Sequence, residues 1–437
     1  MHEFKDFTEE YGKEVHSINN RDEPFYRWYP FVEGFSGNIV KKIINELDYT
    51  PKLCLDPFSG SGTTPLACQE MGVKCVSFEL NPFLYDVSRA KLYTGYVESY
   101  FEKLVKGIEK GLKTHCDVPD YPQFDTQTLF EKEGLKKWIF NKPVAWGILD
   151  ILEEIESISK ESESCYKLLL KIALGAILVE VSNVFRNGKC LSYKKNWENN
   201  ECSRQDVHDK FIGFCNTVIL EDMREKSWNK IEAKNYELCV KGDAKKLLTD
   251  LEEDSIDLVI TSPPYLNSRD YTDTYRLELW VLGYLKTYIE ERELRKNAIR
   301  SHVQVVWPEV RTIEIPKLVE YLKEIEKHSD ELWNKSIPNM IKGYFADMND
   351  VLYTLYNKIK KNANVYIIVG NSSYHKRTIE TDEVIADIAK LKGFHVEEIR
   401  VARYLKSSGQ QNSKKIRESV IVMRKKDEEE VGDDLHS

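Results

Sequence analysis

The chain has 437 residues, 41% hydrophobic and 31% charged, with a formal net charge of -9. This is enough for a substantial core plus insertions, and it excludes a small scaffold held by staples in place of a core. No apolar run approaches the roughly 18 residues of a membrane span, and the opening "MHEFKDFTEEYGKEVHS" lacks a signal-peptide core, so a soluble, cytoplasmic protein with no membrane partner is expected. Nine cysteines are scattered without a Cys-x-x-Cys pair. They read as reduced, buried thiols, with neither a disulfide framework nor a metal site indicated.

In chain order, residues 1–23 read as an N-terminal extension. The stretch "RWYPFVEGFSGNIVKKII", 27–44, has the spacing of an amphipathic helix packed on a sheet. "PKLCLDPFSGSGTTPLACQEMG" then places a short apolar strand, Leu53 to Leu55, before a glycine-rich turn and a helix beginning near Thr63. "VKCVSFELNPF" follows as a second buried strand ending in an acid, so strand, turn, helix and strand form one βαβ unit. From 97 to 234 the periodicity is mostly helical. Strand signals return in "YELCVKGDAKKLL" and "SIDLVITSPPY", then a second helical stretch spans about 275 to 360, and "NANVYIIVGNSS", "FHVEEIRVARYL" and "RESVIVMRKK" supply the last strands. The reading is an α/β fold, Rossmann-like, whose mostly parallel seven-stranded sheet comes from 24–96 and 235–426. Its last strand is antiparallel, and helical insertions interrupt it.

Charge is segregated along the chain. The end "DEEEVGDDLHS", 427–437, reads as a disordered acidic tail; it carries six negative charges, leaving -9 + 6 = -3 for the rest. Arg400 to Lys426 holds nine basic residues and one acid, Glu418, a local balance of 9 - 1 = +8. Such a patch suits a phosphate backbone. "FRNGKCLSYKKNW", 185–197, interleaves Arg186, Lys189 and Lys194 with aromatic rings, as phosphate contact and base stacking require. "RELRKNAIRSH", 292–302, is another basic stretch. The loop "LKSSGQQNSKKIR", 405–417, offers Lys406, Lys414 and Lys415 beside amides that can lie along a DNA groove. A solvated loop accounts equally well for either stretch before it.

Four segments carry the chemistry. In "DPFSGSGTT", 56–64, two glycines let backbone approach a ligand, and the absence of a following Gly-Lys-Ser/Thr excludes a Walker loop. Glu79 ends the second strand about 20 residues on, where an acid accepts hydrogen bonds from ribose hydroxyls. Asp243 in "VKGDA" either accepts from an adenine amino group or caps the helix "AKKLL", and the two roles are compatible. In "TSPPY", Ser262, Pro263 and Pro264 make a stiff elbow that cannot extend a ladder and that fixes Tyr265 at a strand's carboxyl end. Open α/β sheets bind ligands there.

"DPFSGSGTT", "FELNP", "GD" and "TSPPY" together resemble the S-adenosylmethionine-dependent DNA methyltransferases that act on an exocyclic amino nitrogen. The resemblance implies a catalytic domain at 24–96 and 235–426 and a helical insertion at 97–234 that holds target recognition. It implies S-adenosylmethionine as cofactor, with Asp56, Phe58, Gly60, Gly62 and Thr63 around its methionine part, Glu79 on the ribose, Asp243 near the adenine, and Phe35 and Ser36 in an additional cofactor motif. It further implies that Ser262 and the Pro263 carbonyl accept the amine's hydrogens, while Tyr265 stacks on a base flipped out of double-stranded DNA. Ring-carbon methylation requires a cysteine nucleophile, usually in a Pro-Cys pair, and the chain has none. Serine rather than Asp or Asn before Pro-Pro resembles the cytosine N(4) methylases, which implies cytosine N(4) over adenine N(6). The glycine turn precedes the proline corner here, an order that resembles one arrangement within the DNA family and also that of tRNA guanine methyltransferases, so an RNA substrate is an alternative. A catalytically silent, cofactor-binding DNA-recognition protein is another. A cognate restriction endonuclease is a possible partner.

Overall fold

Alternation within each strand sorts the core into two faces. In the strand Ile256–Thr261, Leu258 and Ile260 pack with Cys54, Cys75, Ile368 and Val422 against the helix Gly37–Glu46, while Val259 points the other way. There it joins Leu55, Val365 and Ile421 under the helices Ile337–Lys358 and Thr381–Leu391. Helices thus cover both faces, as a parallel sheet requires.

The computed structural model describes residues 2–120, 126, 128–187, 190–225, 234–266, 270–308, 310–375, 377–406 and 415–426. Its strands are β1 (Phe4–Asp6), β2 (Leu53–Asp56), β3 (Lys74–Glu79), β4 (Val184–Arg186), β5 (Leu191–Tyr193), β6 (Cys239–Lys241), β7 (Ile256–Thr261), β8 (Ile359–Gly370), β9 (Ser372–Tyr374), β10 (Arg377–Ile379), β11 (His395–Lys406) and β12 (Lys415–Arg424). Eight of them form one sheet in the order β1-β11-β12-β8-β7-β2-β3-β6, while β4-β5 and β9-β10 are separate hairpins. From β8 through β7, β2 and β3 to β6 every pairing is parallel, and β12 is antiparallel to both β8 and β11. The fold is the mixed α/β, Rossmann-like architecture expected of the sequence. It differs by an eighth strand: β1, inside the expected N-terminal extension, pairs parallel with β11. All three β1 residues are exposed, so no burial pattern announces the strand.

Strand order creates the crevice. From β2 the chain crosses to β3 on one side, and from β7 it crosses to β8 on the other, so the carboxyl ends of β2 and β7 flank a topological switch point. Helices between β3 and β6 share one core with the helix Pro82–Leu92: Phe101, Ile148, Leu170 and Phe211 pack with Phe83 and Val87. Truncating one of these to alanine is expected to cost about 2 to 5 kcal/mol.

Candidate active site

At the end of β2 the chain turns sharply. Gly60 has φ +52° and Gly62 φ +83°, the left-handed region that disfavours side chains. A Cβ on Gly60 would lie 2.9 Å from the Phe31 ring, and one on Gly62 would lie 2.3 Å from the Ser88 hydroxyl. Gly60 therefore leaves room on the cavity side, whereas Gly62 permits close packing behind the turn.

Glu79, at the end of β3, braces this turn. One carboxylate oxygen accepts from the Gly60 N–H at 2.7 Å and the other from the Asn81 N–H at 2.7 Å. Burial pushes its pKa up to about 7, with the two backbone donors and neighbouring Asp56 acting as smaller influences. Each oxygen keeps a second lone pair for a ligand hydroxyl. Asp56 is fully enclosed and accepts from the Phe58 N–H at 3.1 Å and from the Thr261 hydroxyl at 2.6 Å. Burial raises it to about 6. The Thr261 bond ties the end of β7 to the end of β2, so the Ser-Pro-Pro-Tyr corner starts beside the glycine turn.

A single cavity of about 970 Å³ joins these groups. Phe35, Phe58, Gly60, Thr63, Glu79 and Asp243 line it together with Ser262, Pro263, Pro264 and Tyr265. Three expected cofactor contacts do not line it. Ser36 is buried and caps the helix Gly37–Glu46 through the Asn38 N–H, Asp56 faces the Thr261 link, and Gly62 backs onto Ser88. The Asp243 carboxylate caps the helix Ala244–Asp250 by accepting from the Lys245 N–H at 3.0 Å, and the residue also lines the cavity.

The cavity wall also contains Phe31, Gly370, Arg403 and Glu418, none of which the motifs had assigned to it. Phe31 lies within the 27–44 segment, and its ring stacks on Tyr275 with centroids 5.7 Å apart. Glu418 is the single acid of the basic run Arg400–Lys426. An isolated acid in such a run was the available signal.

The expected phosphate contacts fare less well. Arg186 ion-pairs with buried Glu278 and donates to the Thr274 carbonyl at 3.1 Å, so its guanidinium serves the interior. Lys194 caps the end of the helix Ser164–Val181, donating to the carbonyls of Glu180 at 2.9 Å and Ser182 at 2.6 Å. Within the +8 run, Arg400 pairs with Glu46 and Glu398, Arg403 with Glu418, Arg417 with Asp382 and Glu383, and Arg424 with Glu397. Much of the local charge is therefore offset by acids outside the run, namely Glu46, Asp382, Glu383, Glu397 and neighbouring Glu398. Lys415 is exposed and lies over the Tyr404 ring. Lys189, Lys414, the Lys406 side chain, Gln410, Gln411 and the acidic tail lie outside the described residues. In 292–302, Arg295 pairs with Asp270 and Arg300 with Asp347.

Residues 6–90 match the family model N6_N4_Mtase, described as DNA methylase. The type II methyltransferase M.AvaI of Nostoc sp. is 27% identical over 93% of this chain and 87% of its own length. M.BsoBI of Geobacillus stearothermophilus is 26% identical over 96% and 89%, and M.MvaI of Kocuria varians is 21% identical over 79% and 75%. No solved structure gives a significant match. The family match, these relatives and the sheet together support a DNA amino-methyltransferase, a family whose methyl donor is S-adenosylmethionine. Among the described residues no helix is long and apolar enough to cross a membrane.

Proposed function

We propose that the protein methylates the exocyclic amino group of a base flipped out of double-stranded DNA, with cytosine N(4) favoured over adenine N(6). The observation that carries this reading is the convergence of the glycine turn and the Ser-Pro-Pro-Tyr corner on one cavity at the switch point.

The cavity fits both reactants. Its volume is at the upper end of ordinary ligand pockets, as a nucleoside cofactor plus a base demands. The bare backbone of Gly60 offers close approach, the free lone pairs of Glu79 suit ribose hydroxyls, and Asp243 suits an adenine amine. S-adenosylmethionine supplies a methyl group on a sulfonium centre. Beside the glycine turn the protein prepares the nucleophile. An aromatic amine is weakly nucleophilic because its lone pair is delocalised into the ring. The Ser262 hydroxyl and the Pro263 carbonyl accept its two hydrogens, which draws the nitrogen toward tetrahedral geometry and frees the lone pair. Pro263 and Pro264 hold those acceptors in place beforehand, so positioning and electrostatics supply the rate. The Tyr265 ring stacks on the base; stacking is worth about 1 to 3 kcal/mol and helps offset a flipping cost of a few kcal/mol.

The helical segment 97–234 holds target recognition in this reading, and Lys415 with its neighbours in the 405–417 loop contacts DNA phosphate. The type II names of the relatives support a place in a restriction-modification system with a cognate endonuclease. Expression in a methylation-free host, followed by nucleoside mass spectrometry of DNA and RNA, tests the substrate. N(4)-methylcytosine in DNA, absent from a Ser262→Ala strain, is the expected result. N(6)-methyladenine would reverse the base preference, and a methylated base in RNA alone would overturn the DNA reading.

A further inference from the structure

Tyr265 is held more tightly than a stacking ring requires. Its hydroxyl donates to Glu418 Oε1 at 2.7 Å, across 153 residues of chain. Glu418 is buried, and its other oxygen receives the Arg403 guanidinium. These partners are placed by sheet register. Arg403 of β11 lies opposite Glu418 of β12, and Glu418 lies opposite Gly370 at the end of β8. Gly370 is the third part of the arrangement: a Cβ there would sit 3.0 Å from both Cδ2 and Cε2 of the Tyr265 ring. The ring therefore lies close over bare backbone. Burial, then Glu418, raises the tyrosine pKa well above its usual value, while the Ser262 side chain acts in the opposite direction on the same hydroxyl. The phenol therefore stays protonated and remains a donor.

We propose that Glu418 is a positioning residue for the methyl transfer. Together with Arg403 and Gly370 it clamps the Tyr265 ring as a fixed wall of the base-binding end of the cavity. This rests on the reading of Tyr265 as the stacking residue. Stacking alone needs only a ring, which phenylalanine would supply. A buried, charge-assisted hydrogen bond adds orientation, because a free phenyl ring would sample rotations that point its face away from the base. Arg403 takes the other carboxylate oxygen and so fixes how Glu418 presents Oε1 to the tyrosine. Glycine at 370 lets the ring settle close enough for its hydroxyl to reach across to β12.

A double-mutant cycle on the full chain tests the clamp, with unmethylated plasmid DNA and tritiated S-adenosylmethionine as substrates and calorimetry for cofactor affinity. Tyr265→Phe is expected to lower kcat roughly 10-fold, as the loss of a hydrogen bond to a charged group would. Cofactor affinity should not change. Glu418→Gln should slow wild-type turnover by a similar order and have little further effect in the Tyr265→Phe background, because the two changes break one link. Equal losses from Glu418→Gln in both backgrounds would show that the carboxylate serves only the fold, and would overturn the clamp. Tyr265→Ala separates this result from failure of the underlying reading. If it leaves kcat unchanged, the stacking role itself falls. If it slows turnover while Tyr265→Phe matches wild type, stacking stands and the clamp alone is refuted.

Discussion

Two carboxyl groups set the pH behaviour expected of the site. Burial raises Glu79 from an ordinary 4.5 to about 7, and Asp56 from 3.8 to about 6. Each binds its proton more readily in the folded chain than in the unfolded one. Their contribution to stability is thus full below their ordinary values and is lost as pH rises through about 6 and then about 7. Cofactor binding should run the other way, because ribose hydroxyls donate best to an ionised Glu79. Calorimetry is expected to show tighter S-adenosylmethionine binding near pH 8 than near pH 5.5, with the difference flattened in Glu79→Gln. Equal affinity at both values would remove Glu79 from the ribose. The neighbouring glycines divide by cause. Gly60→Val is expected to abolish cofactor binding, whereas Gly62→Ala should act on stability through the clash with Ser88 and the positive φ, by about 1 to 3 kcal/mol.

At the scale of elements, the Thr261–Asp56 bond joins the two strand ends that carry the chemistry. Thr261→Val keeps the shape but leaves a buried carboxyl short of a donor, at a cost of about 1 to 3 kcal/mol in denaturant unfolding. An unchanged midpoint would mean the strand ends are held by the ladder alone. Elements with strong local signals were legible in the sequence: the turn after β2 through its glycines, the corner after β7 through its prolines, and Glu79 through its position at the end of β3. Other features were not, for a physical reason. β1 is three exposed residues whose place is set by β11, nearly 400 positions away in sequence. Arg186 looks like a phosphate contact beside its aromatic neighbours, but Glu278 claims it from the helix Arg276–Val281, 92 residues on. Glu418 reads as an interruption in a basic run until antiparallel pairing sets it beside Arg403 and Tyr265. Linear charge patterns omit the partners that a sheet brings across.

The whole molecule has net charge -9, and many of its apparent cationic patches are satisfied internally. DNA binding should therefore depend on few free cations, with a shallow salt slope. Lys415→Glu is expected to weaken DNA binding and reduce that slope by about one. Arg417→Glu should instead destabilise the fold by about 3 to 5 kcal/mol, because it strips the partner from fully buried Asp382. If Arg417→Glu folds normally and changes only the salt slope, the ion pairs of β12 are not structural. In the proposed reaction one cavity presents a cofactor on the glycine turn to a base amine on the proline corner. A crystal structure with S-adenosylhomocysteine and DNA bearing the target base measures this most directly. The ribose is expected on Glu79 and the base amine within about 3 to 3.5 Å of both Ser262 and the Pro263 carbonyl. A base seated away from Ser262, or a cofactor bound away from Gly60, would contradict it.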